Sequence, residues 1–475
     1  MKELKMERPY IYYDFTLSLC SRCLRRVDAK IVFEGELVYM LKRCPQHGPE
    51  KVLIATDVEY YRNARNYAKR SEMPKRFNAN THFGCPYDCG LCPDHEQHSC
   101  LTIIELTDRC NLSCPTCYAE SSPHHGRHRS LDEIERMLDL VVANEGEPDV
   151  VQLSGGEPTL HPQFFEVLDM AKQRPIRHLM VNTNGIRIAK DPAFAEKLAT
   201  YVPDFEIYLQ FDSLQARPLE ILRGLDLREI RQKALEQLNR LNLSTTLVVT
   251  LQKGLNDNEI GDIIDFALKQ RCVRGVTFQP TQVAGRLEHF DPATDRITLT
   301  AVRQEILKQS PLFTPADIIP VPCNPDALAM AYALKIDGEV FPLTRYLDPG
   351  DLLDNSRNTI VYEQDERLQR HLIRLFSTGN SVECATNELQ ALMCCLPRIE
   401  APNLSYENLF RIIIMRFIDA YDFDVRAIKK SCVHIVNQEA DRIIPFETMN
   451  LFYRDPQKRA YLAQLRLNEV ITHNS

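Results

Sequence analysis

Short apolar runs alternate with segments of helical spacing through the middle of the chain. Six apolar runs suit buried strands, and they lie at residues 101–106, 150–153, 178–182, 205–211, 245–251 and 275–279. After the first run, residues 131–143 place apolar side chains three and four positions apart, and Ser130 and Glu133 form a capping box that starts a helix. Strand-helix units in series predict an α/β fold with a parallel sheet, either doubly wound or, as we favour, curled into a partial (β/α)6 barrel.

The pattern weakens on both sides of this region. Up to about residue 99 the chain has many Cys, His and Pro residues and only short apolar stretches, which is typical of a small module held together by metal ions. After about residue 290, an alternating stretch at 334–342 precedes segments of helical spacing at 365–376 and 406–421. We expect three units: a Cys-rich metal-binding module (1–99), the α/β core (100–290) and a smaller α+β domain for the substrate or an auxiliary cluster (291–475).

Composition and charge limit the functions to consider. The chain has 475 residues, of which 44% are hydrophobic, and a formal net charge of -8, which suits a soluble globular protein and argues against a long nucleic-acid-binding surface. No apolar run approaches the roughly 20 residues that cross a bilayer, and the first residues lack the apolar core of a secretory signal. We therefore expect a cytoplasmic protein.

Sixteen cysteines are many for a cytosolic chain, and ten of them lie before Tyr118. Thiols at short fixed spacings in a reducing compartment are more often metal ligands than disulfides. Cys110, Cys114 and Cys117 follow the first predicted strand of the core. Three thiolates at this spacing can hold three irons of a four-iron cluster and leave the fourth iron open to another ligand. The alternative is a structural zinc site, which usually takes four protein ligands.

A glycine pair follows the second predicted strand. The strand at 150–153 leads into Ser154, Gly155, Gly156 and Glu157. Glycine lets the backbone approach a ligand closely, and a carboxylate here can accept hydrogen bonds from an ammonium group. Such a segment is by itself usually a simple turn, but one strand-helix unit after the cysteine loop it indicates a cofactor site.

Together, the cysteine loop and the Gly-Gly-Glu segment resemble the radical S-adenosylmethionine (radical SAM) superfamily over roughly residues 101–286. The resemblance implies a 4Fe-4S cluster that cleaves S-adenosylmethionine (SAM) reductively, so that the resulting 5′-deoxyadenosyl radical takes hydrogen from an unactivated carbon. The implied cluster ligands are Cys110, Cys114 and Cys117. Tyr118 would face the adenine, and the Gly-Gly-Glu segment would hold the amino group of the methionine part. The implied cofactor-binding residues are Tyr118, Gly155, Gly156, Glu157, Asn184, Gln210 and Asp212.

A second triad with the same spacing lies upstream of the core. Because Cys85, Cys89 and Cys92 lack a preceding strand and a Gly-Gly-Glu segment at the right distance, we expect an auxiliary cluster there. Structural zinc is the alternative. The candidates for a fourth ligand near this triad are His95, His98 and Cys100.

The remaining cysteines suggest further metal sites. Cys20, Cys23 and Cys44 suit a tetrahedral zinc or a mononuclear iron, and His47 is a candidate fourth ligand. Cys323 is a candidate ligand of another auxiliary cluster. Its partners could come from the scattered Cys384, Cys394, Cys395 and Cys432, although free cysteines are commonly just buried.

The order of these motifs along the whole chain resembles the tetraether lipid synthase group, whose relatives include dihydropterin methylases. The resemblance implies coupling or modification of lipid hydrocarbon chains, a position peripheral to the membrane and a reducing partner such as ferredoxin or flavodoxin. Residues 409–417, LFRIIIMRF, are then the candidate wall of a lipid groove, with an ordinary buried helix as the alternative. The other hypotheses are methylation of a small heterocycle such as a dihydropterin, and a binding protein that uses zinc only structurally.

Overall fold

The computed structural model describes residues 8–68, 72–336, 339–345, 408–439, 441–454 and 456–473. The helix predicted at 365–376 lies outside these residues, as do Cys384, Cys394 and Cys395. In the described part of the chain, no helix combines the length and the hydropathy that spanning a bilayer requires.

The N-terminal module is a four-stranded antiparallel sheet with its strands in chain order. These are β1 (Ile11–Leu19), β2 (Arg26–Glu34), β3 (Leu37–Cys44) and β4 (Gly48–Ala55), followed by helix α1 (Val58–Ala64). Alternate side chains point to one buried face, where Ile31, Val38 and Met40 pack together. The β1–β2 and β3–β4 turns lie at the same end of the sheet and carry the cysteines of the module.

The core contains the six predicted parallel strands, each paired with its neighbours in chain order, and this confirms the partial barrel. The six strands are β5 (Leu101–Thr107), β7 (Val150–Gly155), β8 (His178–Thr183), β9 (Phe205–Gln210), β10 (Thr245–Leu251) and β11 (Val273–Pro280). Two short strands, β6 (Thr116–Cys117) and β12 (Arg286–Leu287), pair antiparallel in a separate sheet. The helices are α2 (Leu131–Glu145), α3 (Phe164–Lys172), α4 (Ile186–Lys190), α5 (Pro192–Ala199), α6 (Ala216–Arg223), α7 (Arg228–Leu241) and α8 (Ile260–Lys269). Helix α2 begins at the predicted capping box of Ser130 and Glu133.

The C-terminal residues extend the core sheet at both ends. Their elements are α9 (Leu299–Gln309), β13 (Ile319–Pro320), β14 (Leu328–Ile336), β15 (Glu339–Pro342), β16 (Leu409–Met415), α10 (Val425–Lys429), β17 (Val433–Val436), β18 (Ile443–Pro445), α11 (Phe446–Thr448) and α12 (Pro456–His473). Strand β16 lies parallel to β11 and antiparallel to β14, whereas β17 lies parallel to β5. The sheet therefore runs from β13 at one end, through the six core strands, to β18 at the other.

The helix predicted at 406–421 is wrong, because Leu409–Met415 forms strand β16. Phe410, Ile412 and Ile414 pack outward against the helices, whereas Ile413 and Met415 pack into the barrel interior. A strand that is buried on both faces gives a continuous apolar run, and periodicity cannot distinguish such a run from a buried helix. The three consecutive isoleucines favour the strand, since β-branched side chains fit a pleated sheet.

A buried polar layer crosses the barrel interior near the amino ends of the strands. The Glu206 carboxylate accepts hydrogen bonds from the Arg411 guanidinium at 2.7 Å and lies 3.1 Å from His178 Nε2. Burial raises the pKa of Glu206, but Arg411 and His178 outweigh it and hold this pKa well below its usual value. Strand β16 therefore supplies the cation that keeps a fully buried carboxylate ionised.

The variant Arg411→Met tests this layer. It leaves Glu206 buried without its cation, so we expect the free energy of unfolding to fall by about 3–5 kcal/mol. Denaturant unfolding of the metal-loaded protein measures the change. The control is Arg240→Met, which removes an exposed ion pair with Glu196 and should change stability by about 0.5 kcal/mol or less. Equal stability of the two variants would contradict this account of the interior.

Candidate active site

A cavity that is partly open to solvent lies at the carboxyl ends of the core strands. Residues from β16 and its continuation, Met415 and Phe417, and Phe446 of α11 complete its wall. Nine of the ten residues predicted for the central cluster and SAM line this cavity: Cys110, Cys114, Cys117, Tyr118, Gly155, Gly156, Glu157, Asn184 and Gln210. The fold thus brings together side chains that are spread over a hundred residues of sequence.

The three central thiols lie on one wall of the cavity. In the described part of the chain, some residues form sets of three or more ligand atoms that all lie within 4.8 Å of one another. The three central cysteines do not form such a set. The triad is therefore wider than a single ion requires, which suits a cluster that places iron and sulfide between its thiolates. Burial raises the pKa of Cys110 to about 12, so this thiol needs a metal partner to ionise at neutral pH. The donor set and the cavity beside it fit a cluster with one iron open to a ligand.

Gly155 and Gly156 dock the cysteine loop onto the end of β7. The Gly156 amide donates to the Thr107 carbonyl at 2.7 Å, and the Glu157 amide donates to the Arg109 carbonyl at 2.9 Å. A Cβ on Gly156 would lie 2.1 Å from the Arg109 carbonyl oxygen, and one on Gly155 would lie 2.3 Å from that of Thr107. Both positions exclude a side chain because the loop backbone already fills the space.

The variant Gly156→Ala should misplace the cluster loop without unfolding the barrel. Its Cβ meets backbone rather than a movable side chain, so the loop from Arg109 onward must shift. We expect iron and sulfide each to fall by about four atoms per chain, the content of one cluster, while the far-ultraviolet circular dichroism stays that of the wild type. Full cluster content in this variant would show that the loop tolerates the displacement.

Glu157 is fully buried and its carboxylate is held by four hydrogen bonds. Oε1 accepts from the amide and hydroxyl of Thr159 and from the hydroxyl of Thr183, and Oε2 accepts from the Asn184 amide at 2.8 Å. Burial raises the pKa of Glu157 despite these bonds. Each carboxylate oxygen has about two acceptor sites, so Oε2 can accept one more donor. An ammonium group would both use this site and favour the ionised carboxylate.

Asp212 is the predicted residue that does not line the cavity. Its side chain is fully buried and bonds the guanidinium of Arg223, whose Nε lies 2.7 Å from Asp212 Oδ2. Arg223 lines the cavity in its place and donates to Gln210 Oε1 at 2.8 Å. The structure therefore corrects the predicted contact, because Asp212 positions an arginine instead of facing the cofactor site. Sequence reasoning missed Arg223, since it lies on helix α6 outside any motif.

A second arginine that sequence reasoning missed, Arg231 of α7, also faces the cavity. Burial lowers its pKa to about 10, which leaves it charged at neutral pH. One terminal nitrogen donates to the Asn184 carbonyl, whereas Nε and Nη2 make no hydrogen bond in the structure and Nη2 lies 3.7 Å from Asp212 Oδ2. A buried guanidinium with donors to spare suits a carboxylate ligand.

Two residues of the C-terminal region, Arg454 and Phe446, pack against the ring of Tyr118. The guanidinium of Arg454 lies 5.1 Å from the centre of its ring, and the ring of Phe446 lies 5.0 Å away edge-on. Glu105, buried on β5, bonds Arg454 at 2.9 and 3.1 Å and fixes its position. No sequence motif marks Arg454, which reaches this site from a distance of more than three hundred residues along the chain.

The N-terminal cysteines form a compact ligand set. The ligand atoms of Cys20, Cys23, Cys44 and His47 all lie within 4.8 Å of one another. His47 Nδ1 lies 3.4 Å from the Cys20 sulfur and 3.5 Å from that of Cys44. This arrangement fits one tetrahedral ion.

The sulfur atoms of the upstream triad, Cys85, Cys89 and Cys92, do not all lie within 4.8 Å of one another, and the same holds for the central triad. Thr448 donates to the Cys89 sulfur at 3.0 Å. The His95 amide donates to the Cys92 carbonyl at 2.9 Å, but the side chains of the candidate fourth ligands have other neighbours. His95 lies 2.8 Å from the Ser431 carbonyl and 3.1 Å from His434, whereas the sulfur of Cys100 lies 3.5 Å from His98.

Comparison with known proteins matches the region of the N-terminal cysteines and the region of the central cysteine loop. Residues 104–267 match the model of the radical SAM superfamily, and residues 12–56 match that of the HMPTM N-terminal zinc ribbon domain. The 7,8-dihydro-6-hydroxymethylpterin dimethyltransferase of Methanocaldococcus jannaschii is 31% identical over 92% of this chain and 94% of its own length. The GTP 3′,8-cyclase of Syntrophomonas wolfei is 34% identical over 39% of this chain and 57% of its own. The crystal structure of Streptococcus suis SuiB bound to S-adenosylmethionine has 19% identity and a TM-score of 0.36, covering 44% of this chain and 47% of that one.

The barrel, the cysteine loop and the matched superfamily model define a radical SAM enzyme, which uses a 4Fe-4S cluster and SAM. The chain belongs to the radical SAM superfamily and, within it, to the family of the Methanocaldococcus jannaschii protein. The predicted cofactors are thereby confirmed, and the zinc ribbon match and the additional cysteine sets support auxiliary metal.

Proposed function

We propose that the chain methylates a small fused heterocycle of the dihydropterin class. The observation that carries this proposal is the match to a dihydropterin dimethyltransferase along nearly the whole of both chains. The GTP 3′,8-cyclase of Syntrophomonas wolfei, which matches 39% of this chain, also acts by its name on a fused nitrogen heterocycle. For each methyl group, one electron cleaves one SAM to methionine and a 5′-deoxyadenosyl radical, which takes hydrogen from a substrate carbon and leaves as 5′-deoxyadenosine. A second SAM then gives its methyl group to that carbon and, with a second electron, leaves as S-adenosylhomocysteine.

The cavity wall suits a flat, polar ring system. Phe417 and Phe446 pack with their ring centres 4.1 Å apart and their planes tilted by 32°, and Tyr118 continues this aromatic surface. Aromatic rings of this kind bind planar ligands by stacking. Amide side chains, which can pair with the donor and acceptor edge of a pterin, line the same cavity at Gln152, Gln279 and Gln282.

The lipid hypothesis loses the segment that was its candidate for the wall of a groove. A hydrocarbon chain would need a long apolar groove, and the segment predicted as its wall is a sheet strand with side chains packed on both faces. From this segment, Met415 and Phe417 line the described cavity. Arginine, asparagine and glutamine side chains share that lining, so the comparisons and the cavity both favour the heterocycle over the lipid.

The residues of the chain have separable roles in this proposal. When bound, the cluster supplies the electron that cleaves SAM. Cys110, Cys114 and Cys117 hold it, Glu157 accepts a hydrogen bond from the ammonium group of SAM, and Arg231 and Arg223 face its carboxylate. Tyr118 and Phe446 cover the cofactor and keep water from the reacting carbon. We infer that a small redox protein, such as a ferredoxin or a flavodoxin, delivers the electron.

The test is an anaerobic reaction of the reconstituted full-length protein with dithionite, 7,8-dihydro-6-hydroxymethylpterin and SAM that carries deuterium in its methyl group. We expect the pterin to gain one or two labelled methyl groups by mass spectrometry. If the pterin returns unchanged while 5′-deoxyadenosine accumulates, the radical SAM assignment stands and the methyl-transfer proposal is wrong.

A further inference from the structure

Gln152 is a buried amide side chain on the wall of the active-site cavity. Six amide side chains line this cavity: Gln152, Asn182, Asn184, Gln210, Gln279 and Gln282. Five of them bond other parts of the protein, as Gln279 Nε2 does by donating to the Tyr208 hydroxyl at 3.2 Å. Gln152 is only 4% exposed, yet its side chain makes no hydrogen bond to any residue that the structure describes.

The surroundings of Gln152 do not explain a polar side chain. Gln152 precedes Gly155 by three residues on β7, so it lies about 10 Å deeper in the barrel than the Gly-Gly-Glu segment. Its register partners on β5 and β8 are the apolar residues Ile103 and Met180, both of which are buried. The amide therefore faces the cavity from between two apolar neighbours.

An amide in this position points to a ligand. A primary amide has two N–H donors and one carbonyl acceptor. When these groups are buried without a partner, they cost free energy that an apolar side chain of similar shape does not. Such groups are rare in native proteins, and the energetic cost is recovered when a bound molecule supplies the missing partners.

The polar edge of a dihydropterin has the matching groups. Its pyrimidine half carries a lactam, in which the 4-oxo group accepts hydrogen bonds and the neighbouring N3–H donates one. A primary amide pairs with both, because one N–H donates to the oxo group while the carbonyl accepts from N3–H. This half has no C–H bond. The C–H bonds of 7,8-dihydro-6-hydroxymethylpterin lie on the other half, at C7 and at the hydroxymethyl carbon.

We propose that Gln152 determines substrate specificity by pairing with the lactam edge of the heterocycle deep in the barrel. The C–H bonds of the substrate then face the carboxyl ends of the strands, where the Gly-Gly-Glu segment and the central cysteines lie. This inference rests on the proposed function, whose substrate it orients. Strand β7 thus serves both parts of the site, since its end docks the cysteine loop and Gln152 orients the ring.

Anaerobic equilibrium dialysis of the metal-loaded, full-length protein, with SAM and without a reductant, tests this pairing. We expect Gln152→Met to bind 7,8-dihydro-6-hydroxymethylpterin about 10- to 100-fold more weakly than the wild type, because two hydrogen bonds are lost. Its affinity for SAM should stay that of the wild type. Unchanged affinity for the pterin in this variant would overturn the proposal.

Denaturant unfolding without pterin separates recognition from a structural role. Because the Gln152 amide bonds no described residue, Gln152→Met should unfold at the same denaturant concentration as the wild type or at a higher one. The control is Gln309→Met, since the Gln309 amide donates to the Asp257 carbonyl at 2.8 Å and lies outside the cavity lining. This control should unfold earlier and keep the pterin affinity of the wild type. The proposal is wrong if Gln152→Met is destabilised as the control is.

A ligand analogue tests the same contact in the wild type and so does not depend on how Gln152→Met folds. The analogue carries hydrogen in place of the 4-oxo group and has no N3–H. The wild type should bind it about 10- to 100-fold more weakly than the pterin, whereas Gln152→Met should bind the two compounds nearly equally. Equal binding of both compounds by the wild type would contradict the pairing.

Turnover distinguishes a failure of this inference from a failure of the proposed function. In the complete reaction with dithionite, Gln152→Met should show a KM for the pterin that is raised by a similar factor, while it cleaves SAM in the absence of pterin as the wild type does. If the wild type leaves the pterin unmethylated, the proposed function is wrong. If the wild type methylates it and Gln152→Met does so with the same KM, only the role of Gln152 is wrong.

Discussion

Replacing Cys110, Cys114 and Cys117 together by alanine should abolish the formation of 5′-deoxyadenosine from SAM in the presence of dithionite. These thiols line the cavity that also contains the Gly-Gly-Glu segment, and no compact ligand set in the described residues includes them. We expect the variant to lose about four irons per chain, the content of one cluster. Iron and sulfide analysis together with chromatography of the reaction measure both effects.

The matched control removes the upstream triad instead. Alanine at Cys85, Cys89 and Cys92 should also lower the iron content, but it should leave SAM cleavage measurable because those residues lie outside the cavity lining. If the central triple variant still cleaves SAM, or if only the upstream variant loses cleavage while it keeps the central cluster, the two triads have been assigned the wrong way round.

Glu157→Gln should weaken SAM binding roughly 10- to 100-fold, which corresponds to about 1.5–3 kcal/mol for a lost hydrogen bond to a charged group. Oε1 keeps its three donors if the amide oxygen takes that position. The amide nitrogen then replaces Oε2 and presents a donor both to the Asn184 amide and to the ammonium of SAM. The change is conservative in shape, so the cluster content should stay that of the wild type.

Anaerobic equilibrium dialysis with labelled SAM measures this affinity. The control is Glu196→Gln, since Glu196 pairs with Arg240 on the protein surface and should leave the affinity unchanged. If Glu157→Gln binds SAM as tightly as the wild type, then Glu157 only orders Thr159 and Thr183 and does not contact the ammonium group of SAM.

The core of the fold could be predicted because its signals are local. The apolar runs of the six parallel strands stand out between amphipathic helices, and the cysteine loop and the glycine pair each follow a strand directly. Strand β16 could not be predicted, because burial on both faces removes the alternation that marks a strand. Strand β17 has four residues, and only the folded chain reveals that it pairs with β5.

The residues of the candidate site likewise divide into those that a local motif marks and those that only the fold reveals. Nine residues from the motifs line one cavity, whereas Arg223 and Arg231 reach it from helices and Arg454 packs on Tyr118 from the C-terminal region. Nothing in their local sequence distinguishes a buried arginine from one on a solvated helix face. Asp212 was assigned to the cofactor because the sequence does not reveal that it pairs with Arg223. A carboxylate after a strand looks the same in sequence whether it faces a ligand or an arginine.

The most direct test of the account is electron-nuclear double resonance on the reduced cluster with bound SAM that carries isotopic labels in its amino nitrogen and carboxylate oxygens. The alanine variant of the upstream triad isolates the signal of the cluster held by Cys110, Cys114 and Cys117. We expect hyperfine coupling between this cluster and both labels, because three thiolate ligands would leave one iron open to the methionine part of SAM. Bound SAM without coupling to either label would contradict an open iron in this cavity.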